Sequence, residues 1–282
     1  MKKLVIVGLS AVLALMAIEP AHAQDQKVLA IIDTAIDSNK IPAVIYEACF
    51  TVNRSCPNGQ SFMEGIGSAN SKVWPTSITN ATYHGHNMTQ VALATNPNIK
   101  VVFIRIADIS AAGNSGQQPA SLSSAVEWVS QNASKFSIDA VSISQSGTSK
   151  NNLSACSSDT KTINAVASLN ALNIPTFAAT GNDGSNAMVG FPSCVNGVVG
   201  VGSIKPNLTE LSTFTNRGIG LDVIAQPQIT VKRYNGSTAT ESGTSVSTQI
   251  AASLYIKNSV SLGFDNFLNG LPKVLGYTYI SN

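Results

Sequence analysis

Charge is scarce in this chain of 282 residues: Asp, Glu, Lys and Arg make up 11% of it, and the formal net charge is +2. There is neither a basic stripe to hold nucleic acid nor an acidic tail. Aromatic residues are few at 6%. Beyond residue 18 no apolar run is long enough to cross a bilayer. The four cysteines contain no C-x-x-C spacing and only three histidines accompany them, so no metal site and no cofactor is expected. No internal repeat, low-complexity tract or linker divides the chain.

What is present begins with an export signal. Lys2 and Lys3 precede an apolar run over residues 4–18, and Ala21-His22-Ala23 supplies a small-x-small cleavage site. Residues 1–23 therefore read as a signal peptide, and residues 24–282 as one domain that is secreted or periplasmic and leaves the membrane once the signal is removed. Export places Cys49, Cys56, Cys156 and Cys194 in an oxidising compartment, where two disulfides are expected. Three pairings are possible; loop closure favours Cys49 with Cys56 and Cys156 with Cys194.

Runs rich in Val and Ile occupy residues 27–33, 100–106, 138–144, 174–180, 197–203 and 221–225. They are apolar on both faces, as buried strands of a parallel sheet must be. Residues 120–134 and 160–172 lie between them with apolar positions at helical spacing. Strand–helix alternation implies an α/β fold: a three-layer, doubly wound, mostly parallel sheet with helices on both faces. In such a sheet the reactive residues gather at the carboxyl ends of strands.

Histidine narrows the chemistry further. With His22 in the signal, any imidazole base is His84 or His86. Asp33 closes the first strand. Asn182 sits in a Thr180-Gly181-Asn182-Asp183-Gly184 turn after another strand. Ser245 opens a helical stretch, where free N–H groups and the helix dipole favour negative charge. Alone, Asp33 reads as readily as a turn or cap residue, and Asn182 and Ser245 read better as a turn residue and a cap. No G-x-S-x-G elbow occurs and no histidine follows Ser245, which excludes the Ser…Asp…His order of α/β-hydrolase esterases.

The order Asp, His, Asn, Ser, in the blocks AIIDTAID, HGHNMTQVA, AATGNDG and GTSVSTQ, resembles the subtilisin-like serine proteases over residues 27–254. The resemblance implies a serine endopeptidase with Asp33, His84 and Ser245 as catalytic triad and Asn182 in the oxyanion hole. It also implies a protein or peptide substrate laid along Ser144-Gln145-Ser146-Gly147, with Gly181 across from it. His84 is favoured over His86 because Met88 and Val91 then fall on one helix face.

Some features depart from the family pattern. Ala35 stands for Gly, His86 for Thr and Gln249 for Pro, which keeps a degraded homologue that binds peptides without cleaving them as the alternative. No folded propeptide fits before residue 27, so either the domain folds unaided or a folding helper or inhibitor acting in trans is its partner. The helix from His84 runs directly into Asn96-Pro97, leaving no room for a calcium-binding interruption.

Overall fold

The computed structural model describes residues 26–71, 82–109, 115–147, 153–258 and 262–281. The expected signal peptide lies outside these residues. The strands are β1 (Val28–Asp33), β2 (Val44–Phe50), β3 (Phe62–Glu64), β4 (Lys100–Arg105), β5 (Ala107–Ile109), β6 (Ser115–Gln117), β7 (Ile138–Ile143), β8 (Thr176–Ala179), β9 (Val198–Ser203), β10 (Val223–Ala225), β11 (Gln228–Lys232), β12 (Thr238–Ser242), β13 (Lys273–Val274) and β14 (Tyr277–Ile280). The α-helices are α1 (His84–Thr95), α2 (Pro119–Asn132), α3 (Leu153–Ser158), α4 (Thr160–Ala171), α5 (Thr244–Asn258) and α6 (Phe264–Asn269).

Ten strands form one sheet in the order β13-β14-β10-β9-β8-β7-β1-β4-β2-β3. Its central pairings are parallel, and only the edge strands β3 and β13 pair antiparallel. The fold is thus the expected α/β arrangement. Every residue of β1 and β9 is buried, which their unbroken apolar runs require. One core packs Met88 and Val91 of α1 and Val246, Ala251 and Leu254 of α5 against Leu29, Ile31 and Phe103. The other packs Leu122, Val126 and Val129 of α2 and Val166 and Leu169 of α4 against Ile32, Ile104 and Val141.

Helix α5 is unusual in being buried from Thr244 through Ile256. It holds many hydroxyls, and several bond to backbone carbonyls: Thr248 Oγ1 donates to the Thr244 carbonyl at 2.8 Å, and Ser247 Oγ to the Gln226 carbonyl at 2.7 Å. Hydroxyls satisfied in this way enter a core without the cost of an unpaired group, whereas Ser253 Oγ is buried with no hydrogen-bond partner among the described residues. Both disulfides have the expected pairing, Cys49–Cys56 and Cys156–Cys194. Among the described residues, no helix is long and apolar enough to cross a membrane.

Candidate active site

Strand β1 and helix α1 meet at the carboxyl edge of the sheet. Asp33 is fully buried, and its Oδ1 lies 2.8 Å from His84 Nδ1. Two local features permit this approach. A Cβ on Gly85 would stand 2.5 Å from Phe103 Cζ and 3.0 Å from the Ala35 carbonyl, so only glycine lets the helix start this close to β1. The first turn of α1 lacks a side-chain cap of its own. Its free N–H groups are satisfied from the end of β1 instead: Gly85 N donates to Thr34 Oγ1 at 2.9 Å and His86 N to the Ala35 carbonyl at 3.0 Å. The Asp-Thr-Ala sequence therefore both supplies the carboxylate and docks the histidine.

The two histidines have opposite electrostatics. For His84, burial acts to lower the pKa, but the charge of Asp33 and the hydrogen bond to it, with a smaller contribution from Glu241, together raise it above the ordinary value. Its side chain remains 29% exposed toward the cleft. His86 is buried, edge-on to Tyr234 with ring centroids 5.4 Å apart. Burial pushes its pKa down to about 4. The structure thus places His84, and not His86, against Asp33.

Ser245 lies at the N-terminus of α5, 8% exposed. Its Oγ donates to the Ser144 carbonyl at 2.9 Å, and Ser144 Oγ donates back to the Ser245 carbonyl at 3.0 Å. Gln249, one helical turn on, donates from Nε2 to Ser144 Oγ at 2.8 Å. The end of β7 is thereby tied to the start of α5.

Asn182 faces the same space. Its Oδ1 accepts from Thr244 N and Thr244 Oγ1, both at 3.0 Å, which engages the oxygen and leaves Nδ2 without a hydrogen-bond partner among the described residues. Gly181 has φ +104°, and a Cβ there would stand 2.4 Å from Asn216 Nδ2. His84, Ser144, Gln145, Ser146, Gly181, Asn182, Thr244 and Ser245 together line a cleft of about 300 Å³. Of the residues singled out for the site from the sequence, Asp33 reaches this cleft through His84, and Gly147 lines a neighbouring pocket instead. Among the described residues, no group of three His, Cys, Asp or Glu side chains could hold a metal ion.

The subtilase family's sequence profile matches residues 24–256. The chain belongs to the subtilase family. Its fold is similar to that of a protease from Pseudoalteromonas arctica PAMC 21717, at TM-score 0.68 and 19% identity over 90% of this chain and 85% of that one. It is also similar to a cold-adapted subtilisin-like serine proteinase, at 0.59 and 22% over 89% and 86%. The nisin leader peptidase NisP from Lactococcus lactis is similar at 0.65 and 15% over 90% and 85%. Comparison with curated protein sequences gave no significant match.

The departures from the subtilase pattern have structural counterparts. The Ala35 methyl packs with Ala107 and Ile109, and Gln249 makes the link to Ser144 described above. Three features escaped the sequence reading. Asn216, fully buried, receives Asp183 N and Ser185 N at 3.0 Å on Oδ1 and donates to the Thr180 carbonyl at 3.1 Å, so it shapes the loop that carries Asn182. The β11–β12 hairpin stacks Tyr234 on Tyr83 with centroids 3.5 Å apart, directly before His84. Alternating residues around Asn235-Gly236 carried a legible hairpin signal for it. The third is Gln145. Its backbone lies on the expected substrate edge, but its side chain turns inward to Asp33, with Nε2 2.7 Å from Oδ1.

Proposed function

We propose that this subtilase is a secreted or periplasmic serine endopeptidase that cleaves peptide bonds through Ser245, His84 and Asp33. The observation that carries the reading is the 2.8 Å contact of His84 Nδ1 with a fully buried Asp33, facing Ser245 across one cleft. Asp33 holds the imidazole with its proton on Nδ1 and stabilises the imidazolium. Ser245 turns from the Ser144 carbonyl to His84, gives up its proton and attacks the scissile carbonyl. The Nδ2 of Asn182 and the Ser245 backbone N–H receive the developing oxyanion. His84 then protonates the leaving amine, and water hydrolyses the acyl-enzyme. The substrate lies as an added strand along Ser144–Gly147, its backbone hydrogen bonds supplying affinity. No cofactor takes part. The two disulfides suit an oxidising compartment. A folding helper or inhibitor acting in trans is the partner this reading adds.

The second reading, a homologue that binds peptides without cleaving them, draws on the resting bond of Ser245 Oγ to the Ser144 carbonyl rather than to His84. A fluorophosphonate probe separates the two. An activated Ser245 is labelled, and labelling is lost in Ser245→Ala; a folded wild-type protein that resists the probe overturns the endopeptidase reading.

A further inference from the structure

One carboxylate oxygen of Asp33 is crowded while the other is bare. Oδ1 accepts from Thr34 N at 2.6 Å, from Gln145 Nε2 at 2.7 Å and from His84 Nδ1 at 2.8 Å. Oδ2 is buried with no hydrogen-bond partner among the described residues. The Gln145 amide nitrogen also stands 3.1 Å from His84 Nδ1. With a proton on Nδ1, that is a contact between two donors aimed at the same acceptor.

The rest of the Gln145 side chain is not free to leave. It is buried, and it forms part of the wall of a small pocket with Ile106, Leu122 and Phe191. The other ionisable groups facing His84 are Asp33 at the end of β1, Glu241 on β12 and Asp183 on the loop after β8. Asn87 Nδ2 and Arg233 Nε both donate to Glu241 Oε1, at 3.1 and 2.5 Å, which engages that carboxylate away from the imidazole.

We propose that Gln145 is a positioning residue for the Asp33–His84 pair: its amide competes with the imidazole for Asp33 Oδ1 and so limits how strongly Asp33 holds the proton of His84. A hydrogen bond donated to a carboxylate stabilises its charge locally and weakens what it offers the next donor. Gln145 therefore keeps His84 less basic than the pair alone would make it. The benefit falls on the acid side. A base that sheds its proton at lower pH stays available at lower pH. The inference rests on the endopeptidase reading for its functional meaning, but the coupling itself is a property of the folded protein.

The test uses the full mature chain with Gln145→Met and Gln145→Leu, both of which keep the pocket wall and remove the amide. The imidazole of His84 is titrated by NMR, and kcat/KM for a peptide substrate is measured against pH. In both variants the His84 midpoint should rise by about half a pH unit or more, and the acidic limb of kcat/KM should rise with it. Loss of packing alone would lower activity at every pH without moving the midpoint. An unchanged or lowered midpoint in a folded variant overturns the proposal, whether or not the enzyme is active. An inactive wild type whose His84 midpoint still rises in the variants overturns the endopeptidase reading and leaves this one standing.

Discussion

Thr34 holds the N-terminus of the helix that begins at His84: its Oγ1 accepts from Gly85 N at 2.9 Å, one residue beyond Asp33. Carboxylate and imidazole are thus fixed to one another through the backbone as well as through their own contact. Thr34→Val keeps the shape and removes the acceptor, leaving a buried N–H unpaired. The expected cost is about 1–3 kcal/mol of stability. Gly85→Ala should be worse for activity, since its new methyl must push away Phe103 or the helix itself. Urea unfolding and kcat of both variants check this, and a Gly85→Ala enzyme of wild-type kcat would refute the docking argument.

His84→Ala and Ser245→Ala should each lower kcat by a factor on the order of 10⁶, the loss expected when one member of a triad is removed. His86→Ala should retain substantial activity, because His86 contacts Tyr234 and the Ala35 carbonyl rather than Asp33. Exchange of these phenotypes would move the base by two residues.

Asn182 and Asn216 should fail differently. On the proposed mechanism Asn182→Leu removes a donor needed only in the transition state, so kcat should fall about 10²–10³-fold with KM nearly unchanged. Asn216→Leu strips the hydrogen bonds that shape the loop from Thr180 to Ser185. It should lower the melting temperature and raise KM as well. Steady-state kinetics beside a melting curve distinguish them.

The stability of the protein should fall with acid in a way that His86 explains in part. Its pKa is about 4 in the folded chain because of burial and near 6.5 when unfolded. Between those values the unfolded chain binds more protons. The contribution of His86 is therefore complete above pH 6.5 and lost as pH falls toward 4. At pH 4.5 this amounts to about 2–3 kcal/mol. His84 has a raised pKa and the opposite sign, its contribution being present below the unfolded value and lost as pH rises through the folded one. Urea midpoints at pH 7 and 4.5 should therefore differ less in His86→Phe than in wild type; an equal difference would count against a buried neutral His86.

Much of this architecture was legible in the sequence because its strands are uninterrupted apolar runs. Residues 100–106 became Lys100–Arg105 and residues 138–144 became Ile138–Ile143, each shortened by a residue where the backbone turns toward the cleft. The run at 174–180 starts late, at Thr176, because Pro175 has no N–H for the ladder. Strand β2 was not foreseen, since the charged Glu47 interrupts its apolar run. Order and context singled out Asp33, His84, Asn182 and Ser245, which the fold brings near one another. Asn216 and the inward turn of Gln145 were not legible, because both depend on contacts between segments far apart in the chain, which no local pattern encodes.

A protease is also surrounded by copies of itself. Cleavage of a folded chain requires a segment to open and lie extended in another molecule's cleft, and segments open at very different free energies. Helix α5 is enclosed from Thr244 to Ile256 and should be among the last parts to exchange its amide hydrogens. Ser245, the proposed nucleophile, therefore rides on a stretch that self-digestion reaches late. Molecules nicked at exposed turns, such as the tip at Asn235-Gly236, should keep Ser245 in place and go on cutting, so that activity outlasts the intact chain.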